Sequence, residues 1–186
     1  MVRPLHLSLA LRPDSVLFVG NVAYADAVHA VIPKSPRVTD PRLLRATVAA
    51  VQPELIVVAG WQHLIPADIV TRYTCVGFHS AKLPEYPGRA PVPWTLIRGD
   101  SHAWNTMLYL DAGIDSGDII EARSTPVHPD DTPETLYAWI GDTSAAMLAK
   151  HLPALLEGTA PRTPQDPARR GPLTTRDGWQ VLASSL

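Results

Sequence analysis

Hydrophobic and polar positions follow two different periods along the first 80 residues. Runs that are apolar at nearly every position are typical of strands buried on both faces of a parallel sheet, and they occupy residues 16–20, 55–60 and 74–79. Apolar residues at helical spacing lie between these runs, at residues 24–32, between Asp40 and Pro53, and at residues 66–73. Because strands and helices alternate, the pattern predicts an α/β fold built on an open, mostly parallel sheet with helices on both faces.

The pattern changes after residue 80. Residues 81–93 hold four prolines, which predicts a rigid loop without regular structure. A short helix at 94–98 and strands at 105–111 and 118–123 follow, and then a long helix from Asp131–Pro133 to about residue 157. We expect one domain over residues 1–160 and an extended tail, residues 161–186, packed on the same domain.

The composition argues against proteins that bind nucleic acid or membranes and against disulfide-linked or metal-binding proteins. The chain has 186 residues and a formal net charge of −2, so we expect no attraction to nucleic acid or to an anionic membrane. Cys75 is the single cysteine, which excludes an internal disulfide and suits a cytoplasmic protein. We expect no metal site, because His, Cys and carboxylate residues show no ligand spacing. The apolar stretch at residues 5–11 contains His6 and is not predicted to be a signal peptide.

Two segments carry more polar residues than packing requires, and their sequences are GFHSAKLPEYPGRAP and LDAGIDSGDII. The first places His79 at the carboxyl end of a predicted buried strand. The second places Asp115 in a turn flanked by Gly113 and Gly117. An imidazole beside a carboxylate can donate a proton or hydrogen bond to an oxyanion and then accept a proton. Acyl transfer to an amine needs these steps.

Both segments resemble the folate-dependent formyltransferase family, whose members include the methionyl-tRNA, glycinamide ribonucleotide and sugar N-formyltransferases. HSAKLPEYPGRAPVPW is similar to the family's histidine loop, and LDAGIDSGDII is similar to its aspartate turn. The match extends over about residues 54–125, with weaker likeness in PELIVVAG and in PQDPARRGPLTTRDGW. The resemblance implies a Rossmann-like sheet and transfer of a formyl group from 10-formyltetrahydrofolate to an amine.

Specific residues take roles only through this resemblance. His79 and Asp115 correspond to two members of the family's catalytic set, and Ser80 and Arg89 are expected to contact the amine substrate. Further positions are expected to bind the folate: Trp61, Gln62, His63, Leu64, Ile65 and Asp111.

The chain departs from the family pattern at two places. Gly77 stands where the family has an asparagine that donates to the oxyanion, and Gln62, His63 and Asn105 are candidate replacements. The N-terminal half is shortened, since residues 32–37 replace a longer stretch, so the sheet should be smaller at one edge. The exposed apolar surface that this leaves predicts a homodimer.

The substrate expected first is a small-molecule amine, an amino sugar or sugar nucleotide, and second an amino-acid or natural-product precursor. Relatives that act on tRNA carry a further carboxyl-terminal barrel domain, which we do not expect here. The glycine at position 77 leaves two alternatives open. One is a non-catalytic binding or regulatory homologue, and the other is a 10-formyltetrahydrofolate hydrolase.

Overall fold

The computed structural model describes residues 15–174; the apolar stretch at residues 5–11 and the end of the tail, residues 175–186, lie outside this range. The strands are β1 (Val16–Val19), β2 (Arg37–Val38), β3 (Leu55–Val58), β4 (Thr74–His79), β5 (His102–Tyr109) and β6 (Ile119–Pro126). The α-helices are α1 (Ala25–His29), α2 (Leu44–Val51), α3 (Ala67–Val70), α4 (Pro91–Arg98) and α5 (Pro133–Leu156). Short 3-10 helices cover Pro41–Leu43 and Pro167–Arg169.

The six strands form one sheet in the order β2-β1-β3-β4-β5-β6. The first four are parallel, whereas β5 pairs antiparallel with β4, and β6 antiparallel with β5. The two central strands β3 and β4 are in register from Leu55 opposite Thr74 to Val58 opposite Gly77. Their carboxyl ends therefore open at the same edge of the sheet, where open α/β folds bind ligands.

Each face of the sheet carries its own core, as side chains alternate along a strand. One core joins β-strand residues such as Phe18, Val57 and Val76 to α1 and α5. The other joins Leu17, Ile56 and Cys75 to α2 and α3. Burial on both faces explains why these strands are apolar at nearly every position, and the predicted α/β fold is confirmed.

Several elements differ from the sequence prediction, including β5 and β6, which pair from His102 opposite Pro126 and so reach beyond the predicted ends at 105 and 123. Helix α4 begins at Pro91, inside the segment predicted to lack regular structure, because prolines in a first helical turn cost no hydrogen bond. Helix α1 is shorter than predicted, since the hydrogen bonds after His29 tighten to i→i+3 as the chain nears Pro33. Helix α3 is also shorter than predicted. Strand β2, two residues long at the sheet edge, was not predicted as a strand.

Candidate active site

The loops that leave β3 and β4 meet at the carboxyl edge of the sheet. Residues 61–66 follow β3 and residues 80–90 follow β4. Arg89 joins the two loops, because its Nη2 donates to the carbonyl oxygen of Gln62 at 3.1 Å. The predicted substrate-side and folate-side segments are therefore neighbours.

His79 and Asp115 are brought together by a loop that folds back. Strand β5 runs antiparallel to β4, so it ends beside Cys75, where the Leu110 N–H donates to the Cys75 carbonyl at 2.8 Å. The loop at residues 111–118 then returns toward the end of β4. As a result Asp115 Oδ2 lies 3.5 Å from His79 Nδ1, with side chains 22% and 8% exposed. The interaction of a pair so shielded from solvent is screened by salt less than that of an exposed pair.

The second ring nitrogen of His79, Nε2, has a backbone hydrogen-bond partner. Its Nε2 lies 2.7 Å from the carbonyl oxygen of Tyr86. A carbonyl oxygen only accepts, so Nε2 carries a proton and donates it. Nδ1 is therefore the nitrogen available for proton transfer, and it faces the carboxylate of Asp115.

Asp115 is held in a conformation that few side chains adopt. Its φ of 49° lies in the left-handed region, which aspartate tolerates better than most residues. Its Oδ2 accepts a hydrogen bond from the Gly88 N–H at 2.9 Å. One carboxylate oxygen thus contacts both the imidazole and the loop that follows it.

The residues predicted to bind folate differ in their burial and in their hydrogen bonds. Trp61 is half-buried, packs edge-on against His63 at 5.4 Å, and its indole N–H has no hydrogen-bond partner within residues 15–174. Leu64 is 71% exposed, and Ile65 is half-buried. The Asp111 carboxylate accepts from the Gly113 N–H at 2.9 Å and the Ser116 hydroxyl at 2.8 Å, which stabilises the Asp115 turn.

Ser80 is buried beside a tyrosine that the sequence analysis did not single out. The Tyr24 hydroxyl is hydrogen-bonded to the Ser80 side chain and to backbone at Gly60. Burial, with the neighbouring Tyr137, raises the pKa of Tyr24 to about 12. Tyr24 therefore stays neutral, and its hydroxyl connects α1 to the ends of β3 and β4.

The position of Gly77 is filled from the side by a leucine. A Cβ at residue 77 would lie 2.9 Å from Leu110 Cδ2, so a side chain there requires the leucine to move. Asn105 does not fill the gap. It is fully buried on the opposite face, where its Nδ2 donates to Ser144 Oγ at 2.8 Å and to the Ile140 carbonyl at 3.2 Å.

Residues of the tail also contact the site; they lie in the segment PQDPARRGPLTTRDGW, whose weak family likeness gave no residue a role. Gln165 Nε2 donates to the carbonyl oxygens of Asp115 and Gly117 at 3.0 and 2.8 Å. Arg170 Nη2 donates to the Ile114 carbonyl at 2.6 Å. These contacts connect chain positions about 50 residues apart, so only the tertiary structure shows them.

A cavity of about 420 Å³ lies on the other side of the loop after β4. Tyr86 lines it together with Lys82, Arg98 and Trp104, whereas His79 and Asp115 do not. Within residues 15–174 no three His, Cys, Asp or Glu side chains are grouped as metal ligands. In the same range no helix has the length and apolarity needed to cross a membrane.

Comparison with known proteins identifies related chains. The family model described as formyl transferase matches residues 21–152. The methionyl-tRNA formyltransferase of Pelotomaculum thermopropionicum is 33% identical over 136 residues, which is 71% of this chain and 44% of that protein. The chain spans about half the length of the curated relatives it matches.

Solved structures share the fold. HypX from Aquifex aeolicus has a TM-score of 0.77 at 17% identity, over 88% of this chain and 31% of that one. The formyltransferase PseJ from Anoxybacillus kamchatkensis has a TM-score of 0.71 at 22% identity, over 92% and 90% of the two chains. Its crystal structure contains tetrahydrofolate and UDP-4,6-dideoxy-4-formamido-L-AltNAc.

Proposed function

The chain belongs to the formyl transferase family, and from this membership we propose that it is an N-formyltransferase. The formyl donor is 10-formyltetrahydrofolate and the acceptor is a primary amine of a small molecule. The observation that carries the proposal is the pairing of His79 Nδ1 with Asp115 Oδ2 at the carboxyl edge of the sheet.

The geometry of the pair suits amide formation. When bound, the formyl-folate supplies the electrophilic formyl carbon. His79 holds a proton on Nε2 against the Tyr86 carbonyl, so Nδ1, which faces Asp115, is the ring nitrogen that can take up and return a proton at the reacting centre. Asp115, 3.5 Å away, orients the imidazole and would accept the proton that the attacking amine loses as it bonds to the formyl carbon. The pair would then return a proton to the folate nitrogen whose bond to that carbon breaks.

The surrounding residues fit an amphipathic, heteroaromatic donor. Trp61 offers a buried indole N–H that has no hydrogen-bond partner among residues 15–174. Leu64 and Ile114 are 71% and 40% exposed, which is unusual for large apolar side chains and suits a ligand that covers them. We propose that residues 61–65 bind the folate and that Asp111 stabilises the turn that carries Asp115.

The acceptor is proposed to be an amino sugar or sugar nucleotide, with an amino-acid or natural-product precursor ranked second. The GRAPVPW segment supports this ranking, as does the fold shared with PseJ over most of both chains. The net charge of −2 argues against a tRNA acceptor, although curated relatives are named for one. Ser80 and Arg89 are proposed to contact the acceptor.

The test separates three functions. The protein is incubated with 10-formyltetrahydrofolate alone, and then with a panel of amino sugars, amino acids and methionyl-tRNA, while folate absorbance and product mass are measured. A formylated small-molecule amine supports the proposal. Formate without a formylated product identifies a hydrolase, and formylated methionyl-tRNA alone overturns the proposed acceptor.

A binding measurement tests the remaining alternative, a non-catalytic homologue that binds folate. Calorimetry with a non-reactive folate analogue is expected to show binding that weakens in Trp61→Phe, which removes the indole N–H but keeps an aromatic ring. Binding without turnover of any amine identifies a non-catalytic homologue. If a folded protein does not bind at millimolar analogue, the assignment of the formyl donor fails.

A further inference from the structure

We infer that residues 163–174, here called the tail strap, position the Asp115 carboxylate against His79, with Gln165 and Arg170 as positioning residues. The inference rests on the proposed function, because it assigns a role within the same reaction. The strap is anchored first at Thr163, which exchanges two backbone hydrogen bonds of 2.8 and 2.9 Å with Ile119. It is thereby attached to the strand that follows the Asp115 turn.

Gln165 and Arg170 donate hydrogen bonds to backbone carbonyls of that turn and not to its side chains. Gln165 Nε2 donates to the carbonyls on both sides of Ser116, at Asp115 and Gly117. Arg170 donates from Nη2 to the Ile114 carbonyl at 2.6 Å and from Nη1 to the Asp115 carbonyl at 3.4 Å. The peptide groups on either side of the Asp115 Cα are therefore both fixed.

Fixing these peptides matters because Asp115 has a disfavoured backbone. A non-glycine residue at φ 49° persists only where neighbouring groups hold it there. The direction of the Cα–Cβ bond follows from φ and ψ, so the carboxylate points at His79 only while the turn keeps this conformation. The strap supplies the hydrogen bonds that hold it.

The same strap also fixes the loop that carries the second half of the site. The Gly171 N–H donates to the Pro84 carbonyl at 3.1 Å, the Thr174 N–H to the Pro87 carbonyl at 3.0 Å, and the Arg89 N–H to the Thr174 carbonyl at 2.9 Å. A Cβ on Gly88 would lie 2.4 Å from the Thr174 carbonyl oxygen, so strap and loop are in direct backbone contact. Gly88 is the residue whose N–H binds the Asp115 carboxylate.

The strap therefore joins the Asp115 turn to the loop after β4, two segments that otherwise meet through the contacts of Asp115 with His79 and Gly88. Misplacing a reacting group by about 1 Å typically costs on the order of a hundredfold in rate. Loss of the hydrogen bonds from Gln165 or from Arg170 should therefore lower kcat, while residues 61–65, which are proposed to bind the folate, remain in place. Gln165 and Arg170 are positioning residues in this account, since they act on Asp115.

Two adjacent arginines provide a matched test. Arg170→Met and Gln165→Met keep side-chain length but remove the donors, and each is expected to lower kcat at least about tenfold with little change in KM for the folate. Arg169→Met is the control, because Arg169 pairs with the Glu85 carboxylate and makes no contact with the Asp115 turn. Arg170→Lys retains a cationic donor and should recover part of the rate.

A double-variant cycle distinguishes positioning from general stability. In an Asp115→Asn background, where the carboxylate is already lost, Gln165→Met and Arg170→Met should lower kcat no further. A purely structural role would lower kcat by the same factor in both backgrounds. Thermal unfolding of each variant establishes that the chains compared are folded.

A spectroscopic measurement keeps the inference testable if no amine is ever formylated. The ¹⁵N chemical shifts of the His79 ring report the partners of Nδ1 and Nε2 without turnover. Arg170→Met and Gln165→Met should move the Nδ1 resonance toward its position in Asp115→Asn, and Arg169→Met should leave it unchanged. If all three variants retain the wild-type resonance, the strap does not position Asp115, whatever the activity of the protein.

Discussion

At the scale of single residues, the two ring nitrogens of His79 have different partners at the end of β4. The backbone carbonyl of Tyr86 occupies Nε2, and this leaves Nδ1 facing Asp115. Neither contact involves a charged group other than the Asp115 carboxylate. The chemistry at this edge therefore depends on two side chains whose roles can be separated by substitution.

His79→Ala and Asp115→Asn are each expected to lower turnover at least about a hundredfold, because loss of a general acid or base typically costs 10² to 10⁴. The double variant should be little worse than His79→Ala, since Asp115 acts largely through the imidazole. Steady-state rates against a confirmed amine measure both effects. The exposed residues His128 and Asp142 supply the controls His128→Ala and Asp142→Asn. Wild-type turnover in His79→Ala would remove the catalytic assignment.

Gly77 gives a second prediction at this scale. An asparagine there meets Leu110, so Gly77→Asn should lower the free energy of unfolding by about 1–3 kcal/mol, as overpacking does. Adding Leu110→Ala makes room for the amide and should recover part of that loss and raise turnover above that of the single variant. Urea unfolding and steady-state rates measure these effects. Equal stability of wild type and Gly77→Asn would show that Leu110 does not obstruct the position.

At the scale of elements, the pairing of α5 with β6 contains a charged cluster remote from the site residues. Glu121 of β6 accepts hydrogen bonds from Lys150 at 2.7 Å, His151 at 2.5 Å and Arg123 at 2.7 Å. Burial opposes ionisation of this carboxyl, but the three donors outweigh it and lower its pKa from an ordinary value near 4.5 to about 2. The cluster thus attaches the longest helix to the edge strand of the sheet.

The cluster predicts a pH dependence of stability. A carboxyl whose pKa is lower in the folded state stabilises the fold above its unfolded pKa, and this contribution is lost as the pH falls. The free energy of unfolding should therefore decrease between about pH 4.5 and pH 2, by at most about 3 kcal/mol from this group. Urea titrations across this range should show a shallower decrease for Glu121→Gln. Glu157→Gln, at an exposed glutamate, is the control and should match the wild type.

At the scale of the whole molecule, the sheet ends at β2, which is only two residues long. The chain that follows this edge carries Leu43 with 57% exposure. Short edge strands limit edge-to-edge pairing, so the predicted self-association depends on exposed apolar side chains such as Leu43. The homodimer expected from the shortened N-terminal half stays a prediction.

Light scattering should accordingly give a mass of twice 20.2 kDa at working concentrations. Leu43→Glu places a charge at the short edge and should shift the population toward monomer. Leu173→Glu, at an exposed leucine of the tail strap, is the control for added charge. A monomer mass for the wild-type chain at every concentration would contradict the prediction.

The sequence by itself determined the central strands, the fold class and the family. Strands buried on both faces are apolar at nearly every position, so β1, β3 and β4 can be recognised as continuous apolar runs in the sequence. The family resemblance inferred from the two polar segments is confirmed by the family model. The long helix was also predictable, since Thr132 caps it and Pro133 occupies its first turn.

Tertiary structure alone decided how these segments meet. The antiparallel direction of β5, the inward position of Asn105 and the approach of Leu110 to Gly77 depend on strand pairing. The backbone hydrogen bonds from Gln165 and Arg170 join positions far apart in the chain. Backbone carbonyls are present at every residue, so a contact with one leaves no mark in the sequence, and only the folded chain shows which carbonyl a side chain reaches.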